Sequence, residues 1–568
     1  MRGLLPTTER RAWWWVFGLL IVAGTAWAVA VPPMTGPDEG SNAIRAAAVV
    51  RGQIAGDPMP ELVSGSEAWE NVMVEVDVPA SLAGAEAVGA CYLGEPRERF
   101  FGATVVPRGS DCPELSGDTG TVTTPTYEYR GPPFYYALVG LPTLVSVDDA
   151  GALGMRMVGV LLAAGLLASA IASIRRLPVR ARALTALGAA VAVTPELVYL
   201  GGMQNAASVE IAASLAVWTS GLALVVAPAE PDGRLVHRTG VALVVLILTR
   251  GLSPAFAALA VLVLLAVTRP GRVRALLGRT DVRAWIAGGA TATVVAGAWL
   301  WAIHHLFPLH GYPPTGLDDA VGRVPWWVQG MVAVFGSTDV VPPAALHWAW
   351  GAMAVVVLGL AAAAGSRRHL LLAVGLVVVG LALLISGEGF GVPQTGFWWQ
   401  GRYVLPCIVG ALVLAPAGVR ERSPADRGDG SGNSRSSDDE TGTDLEGYGP
   451  GMVPGWLRWT AAALLGLFVA GHAWSFTYAL RHYTVGHDGP RNPARFLFDP
   501  IWSPPLPPAL LLLVFVAAIT GLALVLRAVA LAPADGAGPA DADGRDDARE
   551  PGDAVEYGRG RVMAGKGG

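Results

Sequence analysis

Long apolar stretches, separated by short polar loops, recur along most of the chain. Each stretch can cross a bilayer as a helix, because about 20 residues span the hydrocarbon core. The pattern predicts about twelve transmembrane helices, at residues 12–31, 151–173, 183–200, 206–227, 240–268 (two short helices around a break at 249–254), 285–306, 344–364, 370–386, 404–417, 456–476 and 505–526.

The segment after the first span is polar instead. Alternating apolar and polar residues at 72–78 predict a β-strand. A tyrosine-rich turn at 127–136 is followed by an apolar helix to about Val147, too short to span and predicted to dip into or lie on the outer leaflet. An aromatic belt at the interface is the simpler explanation of each tyrosine. We therefore expect a small α/β domain outside the membrane.

Two further segments are rich in Gly and Asp and poor in large apolar residues, which predicts disorder. The predicted organisation is a cytoplasmic N-terminus with the first span (1–31), an external domain (32–150), a transmembrane bundle (151–418), a disordered cytoplasmic linker (419–455), two last spans (456–528) and a disordered cytoplasmic tail (529–568).

Composition agrees with an all-α polytopic membrane protein. Of 568 residues, 52% are hydrophobic and only 15% charged, whereas soluble proteins carry about 25% charged residues. The net charge of −5 indicates little about partners, and nothing points to nucleic acid. Abundant Ala, Gly and Arg are typical of a GC-rich bacterial genome.

Arginine placement predicts the orientation in the bacterial plasma membrane. Arginines cluster before the first span and in the loops at 175–182, 269–283 and 367–368, and the positive-inside rule places these loops in the cytoplasm. Both termini are then cytoplasmic. The first span resembles a signal peptide, but its length and the lack of a clear cleavage site favour an uncleaved anchor.

Two of the three cysteines, Cys91 and Cys112, lie in the external segment. The oxidising environment outside the membrane favours a disulfide between them. Cys407 lies in an apolar span and is expected to behave as a small hydrophobic residue.

The stretch that follows the first span carries the most suggestive chemistry. Thr35-x-x-Asp38 is a capping-box pattern, so a short helix at the membrane surface is predicted, ending near Gly52. Asp38 and Glu39 begin this helix, and Arg45 lies two turns on, on the same face as Asp38. Two interpretations stay open: Asp38 caps a helix, or it is a catalytic carboxylate at the water–lipid boundary.

The common soluble motifs for nucleotide, zinc or acyl-enzyme chemistry are absent from the sequence. His304, His305 and His310 allow a metal pair, although a structural role is the more common one. Charged groups within membrane segments mark a functional site by default, though Glu196 and Glu388 favour structural pairing. The ionisable groups expected near the outer surface are Asp38, Glu39, Arg45, Glu196, Glu210, Arg250, Glu388 and Arg402.

Three motifs occur in a characteristic order: Pro33-x(3)-Pro37-Asp38-Glu39-x(5)-Arg45-Ala46, Gly131-Pro132-Pro133-Phe134-Tyr135-Tyr136 and Gln400-Gly401-Arg402-Tyr403-x-x-Pro406. Together they resemble the bacterial membrane proteins of domain-of-unknown-function family 2142. That family is similar in layout to the GT-C glycosyltransferases, and the resemblance covers about residues 12–525.

The resemblance implies a GT-C-like inverting glycosyltransferase with a polyprenyl-phosphate sugar donor and an envelope glycan or glycolipid acceptor, working among membrane lipids. Asp38 is then the catalytic base, with Glu39 as the next candidate. Arg250 and Arg402 suit the departing phosphate, because guanidinium binds phosphate bidentately. The full predicted substrate-binding set is Arg45, Tyr135, Tyr136, Asn205, Glu210, Arg250, Gln400, Arg402 and Tyr403.

The resemblance leaves the cofactor unknown. A divalent cation is an option, but relatives tend to have an Asn-Pro-Asp-like turn where this chain has Gln204-Asn205-Ala206-Ala207. A second external carboxylate is thus missing there, and no metal ligands are assigned.

Two alternatives to an enzyme stay open: a transporter or flippase of lipid-linked glycans, and a membrane assembly protein without chemistry. The disulfide-bonded external domain and the surface carboxylate favour the enzyme. A transporter is expected to have paired broken helices in repeated halves, and the sequence shows one broken pair.

Overall fold

The computed structural model describes residues 8–58, 73–93, 112–227, 232–307, 316–390, 399–419, 454–486 and 489–532. Helices dominate these ranges, and two 3₁₀ turns join them, at Leu141–Leu144 and Gly401–Val404. The helices are α1 (Glu9–Ala30), α2 (Glu39–Val50), α3 (Ala80–Ala83), α4 (Ala85–Leu93), α5 (Phe134–Val139), α6 (Asp149–Ile174), α7 (Val179–Ala192), α8 (Pro195–Gly202), α9 (Ala206–Val226), α10 (Gly233–Thr249), α11 (Ser253–Val267), α12 (Pro270–Gly278), α13 (Thr280–Leu306), α14 (Leu317–Gly322), α15 (Val324–Val332), α16 (Ala344–Ala364), α17 (Arg367–Gly389), α18 (Leu405–Ala417), α19 (Gly455–Val485), α20 (Pro493–Phe498) and α21 (Pro508–Leu531).

The all-α polytopic fold is confirmed, but the number of twelve spans is not. Within the described ranges, eight helices are long and apolar enough to cross a membrane, and the bent pair α7–α8 makes a ninth. The predicted spans that are not long enough to cross a membrane are α10, α11 and α18, which have 17, 15 and 13 residues. A helix of this length covers less than the full hydrocarbon thickness, because it rises only 1.5 Å per residue.

Two helix interruptions shape the bundle. The one predicted inside 240–268 is present, since α10 ends at Thr249 and α11 begins at Ser253. The other was not predicted: α7 and α8 meet at an angle of 58°. Pro195 lacks the N–H that would continue α7, and the Thr194 side chain accepts a hydrogen bond from Leu197 N and starts α8.

Helices α6 and α9 lie near the centre of the bundle. α1 packs against α6 and α21, while α9 packs against α6, α10 and α18. One continuous apolar core joins these elements. By contrast, large apolar side chains of α13, α16 and α17 point outward, which is expected of surfaces that face lipid.

The small α/β domain predicted after the first span is confirmed, and we call it the α/β domain. Its antiparallel sheet has the order β1 (Asp57–Pro58), β2 (Val74–Pro79) and β3 (Thr121–Thr126). The predicted alternation places the β2 valines in a second apolar core, together with α2 and α5. The short helix predicted after the first span is present as α2, and it is buried from Glu39 to Val49. It packs against β2, α4 and α5.

Other local expectations have mixed outcomes. The Cys91–Cys112 disulfide is present, with Cα atoms 5.7 Å apart, and Cys407 is free and buried. The apolar helix predicted up to about Val147 is instead two pieces, α5 and the 3₁₀ turn, because α5 ends at Val139, with Gly140 as its C-cap, and Pro142 lies within the turn that follows. Residues 420–453 of the predicted linker, residues 533–568 of the predicted tail and His310 lie outside the described residues. The start of the predicted tail, residues 529–531, is helical instead, because α21 continues to Leu531.

Candidate functional site

The chain leaves α1 through a turn that an arginine of α6 stabilises. Pro32 has no N–H, so the carbonyl of Ala28 lacks its usual helical donor. Arg156 replaces that donor: Nη1 donates to the carbonyls of Ala28 and Val31, and Nη2 to that of Pro32, each at 2.7 Å. The turn therefore depends on a side chain from another helix.

The same guanidinium holds Glu39. Arg156 Nε donates to Oε1 at 2.6 Å and Nη2 to Oε2 at 2.7 Å, and both side chains are buried. Glu39 also accepts from the N–H groups of Gly36 at 2.9 Å and Gln204 at 3.2 Å. Both of its oxygens are thus occupied by protein donors, which favours a structural role for this predicted catalytic residue.

Asp38 is not a helix cap. Its backbone is left-handed, with φ of 58° and ψ of 16°, and its side chain accepts no hydrogen bond from α2. Thr35 Oγ1 donates to the Pro32 carbonyl instead of starting a helix, so the predicted capping box was wrong. Asp adopts the left-handed region more readily than most residues, and Asn42 stabilises this conformation by donating from Nδ2 to the Asp38 carbonyl at 2.8 Å.

The Asp38 carboxylate instead contacts two distant parts of the chain. Arg402 Nη2 donates to Oδ2 at 2.6 Å, and the Tyr127 hydroxyl donates to Oδ1 at 3.2 Å. The Asp38 side chain is 29% exposed, whereas that of Arg402 is 3% exposed. A solvent-accessible carboxylate is therefore held against a buried cation, and the first and third motifs meet at this pair.

A glycine allows Arg402 to reach this position. A Cβ on Gly401 would lie 1.8 Å from the Trp327 carbonyl oxygen of α15, so only glycine lets the 3₁₀ turn pack there. Trp327 in turn donates from Nε1 to the Trp399 carbonyl at 2.7 Å.

The two buried arginines differ in how completely their N–H groups are used. Among the described residues Arg402 Nε is buried with no hydrogen-bond partner. Every N–H of Arg156, by contrast, is directed at an acceptor.

We expect Gly401→Ala to displace the 3₁₀ turn and lower the free energy of unfolding by about 1–3 kcal/mol, as overpacked sites do. Thermal unfolding in detergent measures the loss. Gly297→Ala is the matched control, because a Cβ added to this glycine of α13 would have no atom within 4 Å. Equal unfolding temperatures for the two variants would contradict the packing argument.

A second arginine lies at the interruption between α10 and α11. Arg250 Nη1 donates to Glu210 Oε2 at 3.0 Å, and Ser253 Oγ donates to Glu210 Oε1 at 2.6 Å. The guanidinium carbon of Arg250 lies 4.8 Å from the centre of the Tyr403 ring, and that of Arg402 lies 5.5 Å from it. One tyrosine ring thus contacts both cations by cation–π interaction.

Glu128, which the motifs did not predict, joins this site from the α/β domain. The Tyr136 hydroxyl lies 3.0 Å from Asn42 Oδ1 and 3.1 Å from Glu128 Oε2. Burial, reinforced by the charge of Asp38, raises the pKa of Glu128 above its usual range, while Arg250 and Arg402 oppose the shift. An acidic residue between two tyrosines, beside the second motif, was the available signal.

Other predicted site residues lie nearby with different contacts. Arg45 donates to the carbonyls of Gln53 and Ile54, and burial lowers its pKa to about 10. Asn205 Nδ2 donates to the Pro37 carbonyl at 2.9 Å and so holds the turn before Asp38. Gln400 lines a cleft beside Arg402.

The remaining polar candidates are distributed as follows. Glu388 pairs with Arg323 at 2.7 Å, as its structural interpretation predicts, and Glu196 accepts from Val334 N at 3.0 Å. The Tyr135 hydroxyl is buried without a partner in the described part of the chain. No group of three His, Cys, Asp or Glu side chains suited to a metal occurs among the described residues.

Comparisons with known proteins bear on the family. The model of a family described as "Predicted membrane protein (DUF2142)" matches residues 20–411. Two crystal structures of ArnT from Cupriavidus metallidurans, in the apo state and bound to undecaprenyl phosphate, are 12% and 14% identical to this chain. Each match covers 91% of this chain and 77% of the ArnT chain with a TM-score of 0.40, a likeness too low to carry a functional conclusion. No curated protein matches significantly.

Proposed function

This chain belongs to the DUF2142 family of predicted membrane proteins, and we propose that it is a GT-C-like inverting glycosyltransferase. It moves a sugar from a polyprenyl-phosphate donor to an envelope glycan or glycolipid on the outer side of the membrane. The observation that carries the proposal is the pairing of a partly exposed carboxylate, Asp38, with a buried arginine that has donors to spare, Arg402.

The acceptor side of the reaction needs a base. Asp38 takes the proton of an acceptor hydroxyl as that oxygen attacks the anomeric carbon of the sugar. Tyr127 and Arg402 fix the direction of the carboxylate. A left-handed backbone at Asp38 supports the assignment, since such conformations concentrate at functional sites.

The donor side needs positive charge. When the new bond forms, the bond from the anomeric carbon to the phosphate oxygen breaks, and the polyprenyl phosphate leaves with the electron pair. Arg402 and Arg250 stabilise the growing negative charge, because preorganised cations act most strongly where water is excluded. Phosphate oxygens would give Arg402 Nε the acceptor that the described part of the chain does not supply.

The remaining predicted residues have supporting roles in this proposal. Tyr403 spaces the two arginines, Glu210 orients Arg250 and Asn205 holds the loop of Asp38. Glu39 keeps the turn closed rather than reacting. With the arginine-rich loops and both termini in the cytoplasm, this site faces outward.

One assay tests the function directly. The full chain, purified into lipid nanodiscs, is incubated with a panel of polyprenyl-phosphate sugars and envelope glycan acceptors, and sugar transfer is followed by mass spectrometry. We expect transfer from at least one donor, with inversion at the anomeric carbon. Retention of configuration, or no transfer from any donor that the protein binds, would overturn the proposal.

A flippase of lipid-linked glycans is the second candidate, because the structure contains a second interrupted helix, α7–α8, besides α10–α11. The two functions give different results in proteoliposomes. A flippase moves a labelled lipid-linked sugar between leaflets without an acceptor, whereas the transferase consumes the donor only when an acceptor is present.

A further inference from the structure

A short series of hydrogen bonds connects Glu128 to Asp38: the Tyr136 hydroxyl contacts both Glu128 Oε2 and Asn42 Oδ1, and Asn42 Nδ2 donates to the Asp38 carbonyl. The two carboxylates nevertheless have different hydrogen-bond environments. Asp38 accepts from a guanidinium and a phenol. Within the described ranges, the Glu128 carboxylate accepts from the Tyr136 hydroxyl alone, at Oε2. Its other oxygen, Oε1, makes no hydrogen bond to the described part of the chain and is not among its fully buried unpartnered atoms. Both oxygens of Asp38 thus accept hydrogen bonds, one of them from a cation, whereas one oxygen of Glu128 has no donor among the described residues.

The two groups interact electrostatically. The negative charge of Asp38 favours a proton on Glu128, and burial acts in the same direction. Titratable groups from every neighbouring element also act on Glu128 or respond to its charge: Asp38 and Arg45 from the α2 region, Tyr135 and Tyr136 of α5, Arg250 of the α10–α11 interruption, and Arg402 and Tyr403 of the 3₁₀ turn.

We propose that Glu128 is a second catalytic carboxylate, which forms with Asp38 a pair that takes up the acceptor proton through its free Oε1. This inference rests on the proposed function and extends it. Closely spaced carboxylates titrate as a pair rather than singly. Asp38 takes the proton of the acceptor hydroxyl and the pair retains it at Glu128 Oε1, so the basicity of the site exceeds that of a carboxylate already bound to arginine.

The atoms balance within a single displacement. The acceptor O–H bond breaks and its proton moves to the carboxylate pair. The acceptor oxygen forms the bond to the anomeric carbon, and the phosphate leaves with the electrons of the broken carbon–oxygen bond. Solvent then takes the proton from Glu128, which restores the starting charges.

Infrared difference spectroscopy tests the pair without any substrate. The full chain in nanodiscs is titrated with pH, and the C=O band of protonated carboxyl groups is followed. The measurement is made in a Glu196→Gln background, because Glu196 is another buried glutamate beside this site and would contribute to the same band. There we expect a carboxyl that remains protonated above the usual range of glutamate, and expect Glu128→Gln to remove it. Asp38→Asn should shift this titration to lower pH, because the neighbouring negative charge is lost. Glu75→Gln, in strand β2, is the control and should leave the band unchanged.

Activity supplies the second readout. If the chain transfers sugar, Glu128→Gln should lower kcat/KM at least tenfold and move its acidic limb to lower pH, since Asp38 then titrates without a charged neighbour. Persistence of the high-pH band in Glu128→Gln, its absence from the wild type, or an unchanged pH profile in an active Glu128→Gln variant would overturn the pairing. A band that behaves as expected in a protein without transfer activity would instead overturn only the proposed function.

Discussion

Turnover should fall on the order of a hundredfold or more when Asp38 is replaced by Asn, the usual effect of removing a general base. Asn keeps the shape of the side chain and one acceptor oxygen for Arg402 and Tyr127. Because Asp38 does not cap α2, no helix-capping energy is lost. The stability cost is about 1.5–3 kcal/mol, the value of a hydrogen bond to a charged group, because the buried Arg402 loses its counter-ion. Transfer rates and thermal unfolding, measured on the same preparation, separate chemistry from folding.

Two further variants complete this test. Asp77→Asn removes an acidic group of the α/β domain, where Asp77 contacts Thr123 and Gln53, and should leave turnover unchanged. Tyr127→Phe removes one contact to Asp38 but keeps the carboxylate, so its loss should be much smaller. Full activity of Asp38→Asn would exclude Asp38 from proton transfer.

The free energy of unfolding should fall by about 3–5 kcal/mol when Arg156 is replaced by Met. This substitution leaves Glu39 as a buried charge without its counter-ion, which is the costly way to break an ion pair. It also leaves three carbonyl groups at the end of α1 without the donors that Arg156 supplies. Denaturation in mixed micelles, followed by tryptophan fluorescence, measures the loss.

Arg176→Met is the matched control. Arg176 pairs with Glu9 and Asp232, but these side chains are partly exposed, and such pairs contribute about 0–1 kcal/mol. Adding Glu39→Gln to Arg156→Met should restore part of the stability, since the uncompensated charge is gone. A double variant as unstable as the sum of the two single variants would show that the carbonyl contacts, and not the charge, dominate.

Patterns along the chain predicted the features that depend on neighbouring residues. Apolar periodicity located most helices, the alternation at 72–78 located β2, and Thr249 to Pro254 located the break between α10 and α11. The three ordered motifs, through the family they resemble, also predicted that Asp38 and Arg402 belong to one site. Each of these features depends on the spacing of apolar residues, on the N–H group that proline lacks, or on residue types that favour turns. All three can be read from neighbouring residues in the sequence.

The errors concern interactions between distant residues. Thr35-x-x-Asp38 has the composition of a capping box, yet Arg156 and Arg402 bind this loop from 117 and 364 residues along the chain. Arg156 binds Glu39 and Arg402 binds Asp38, and these contacts outweigh the local preference of the sequence for a capping box. Arg156 is a charged residue inside a predicted apolar span, which is itself a signal of function. Its role as a donor to the carbonyls at the end of α1 cannot be read from that position, because it depends on the missing N–H of Pro32.

The position of Arg156 in α6 also affects how the protein enters the membrane during synthesis. An arginine near the middle of an inserting helix costs about 2.5–3.5 kcal/mol, and Arg156 lies about two turns inside α6. Glu39 precedes α6 in the chain, so in the proposed topology it has already been translocated when Arg156 arrives at the translocon. The counter-ion is therefore in place first, and Arg156 can pair with Glu39 while α6 is being inserted.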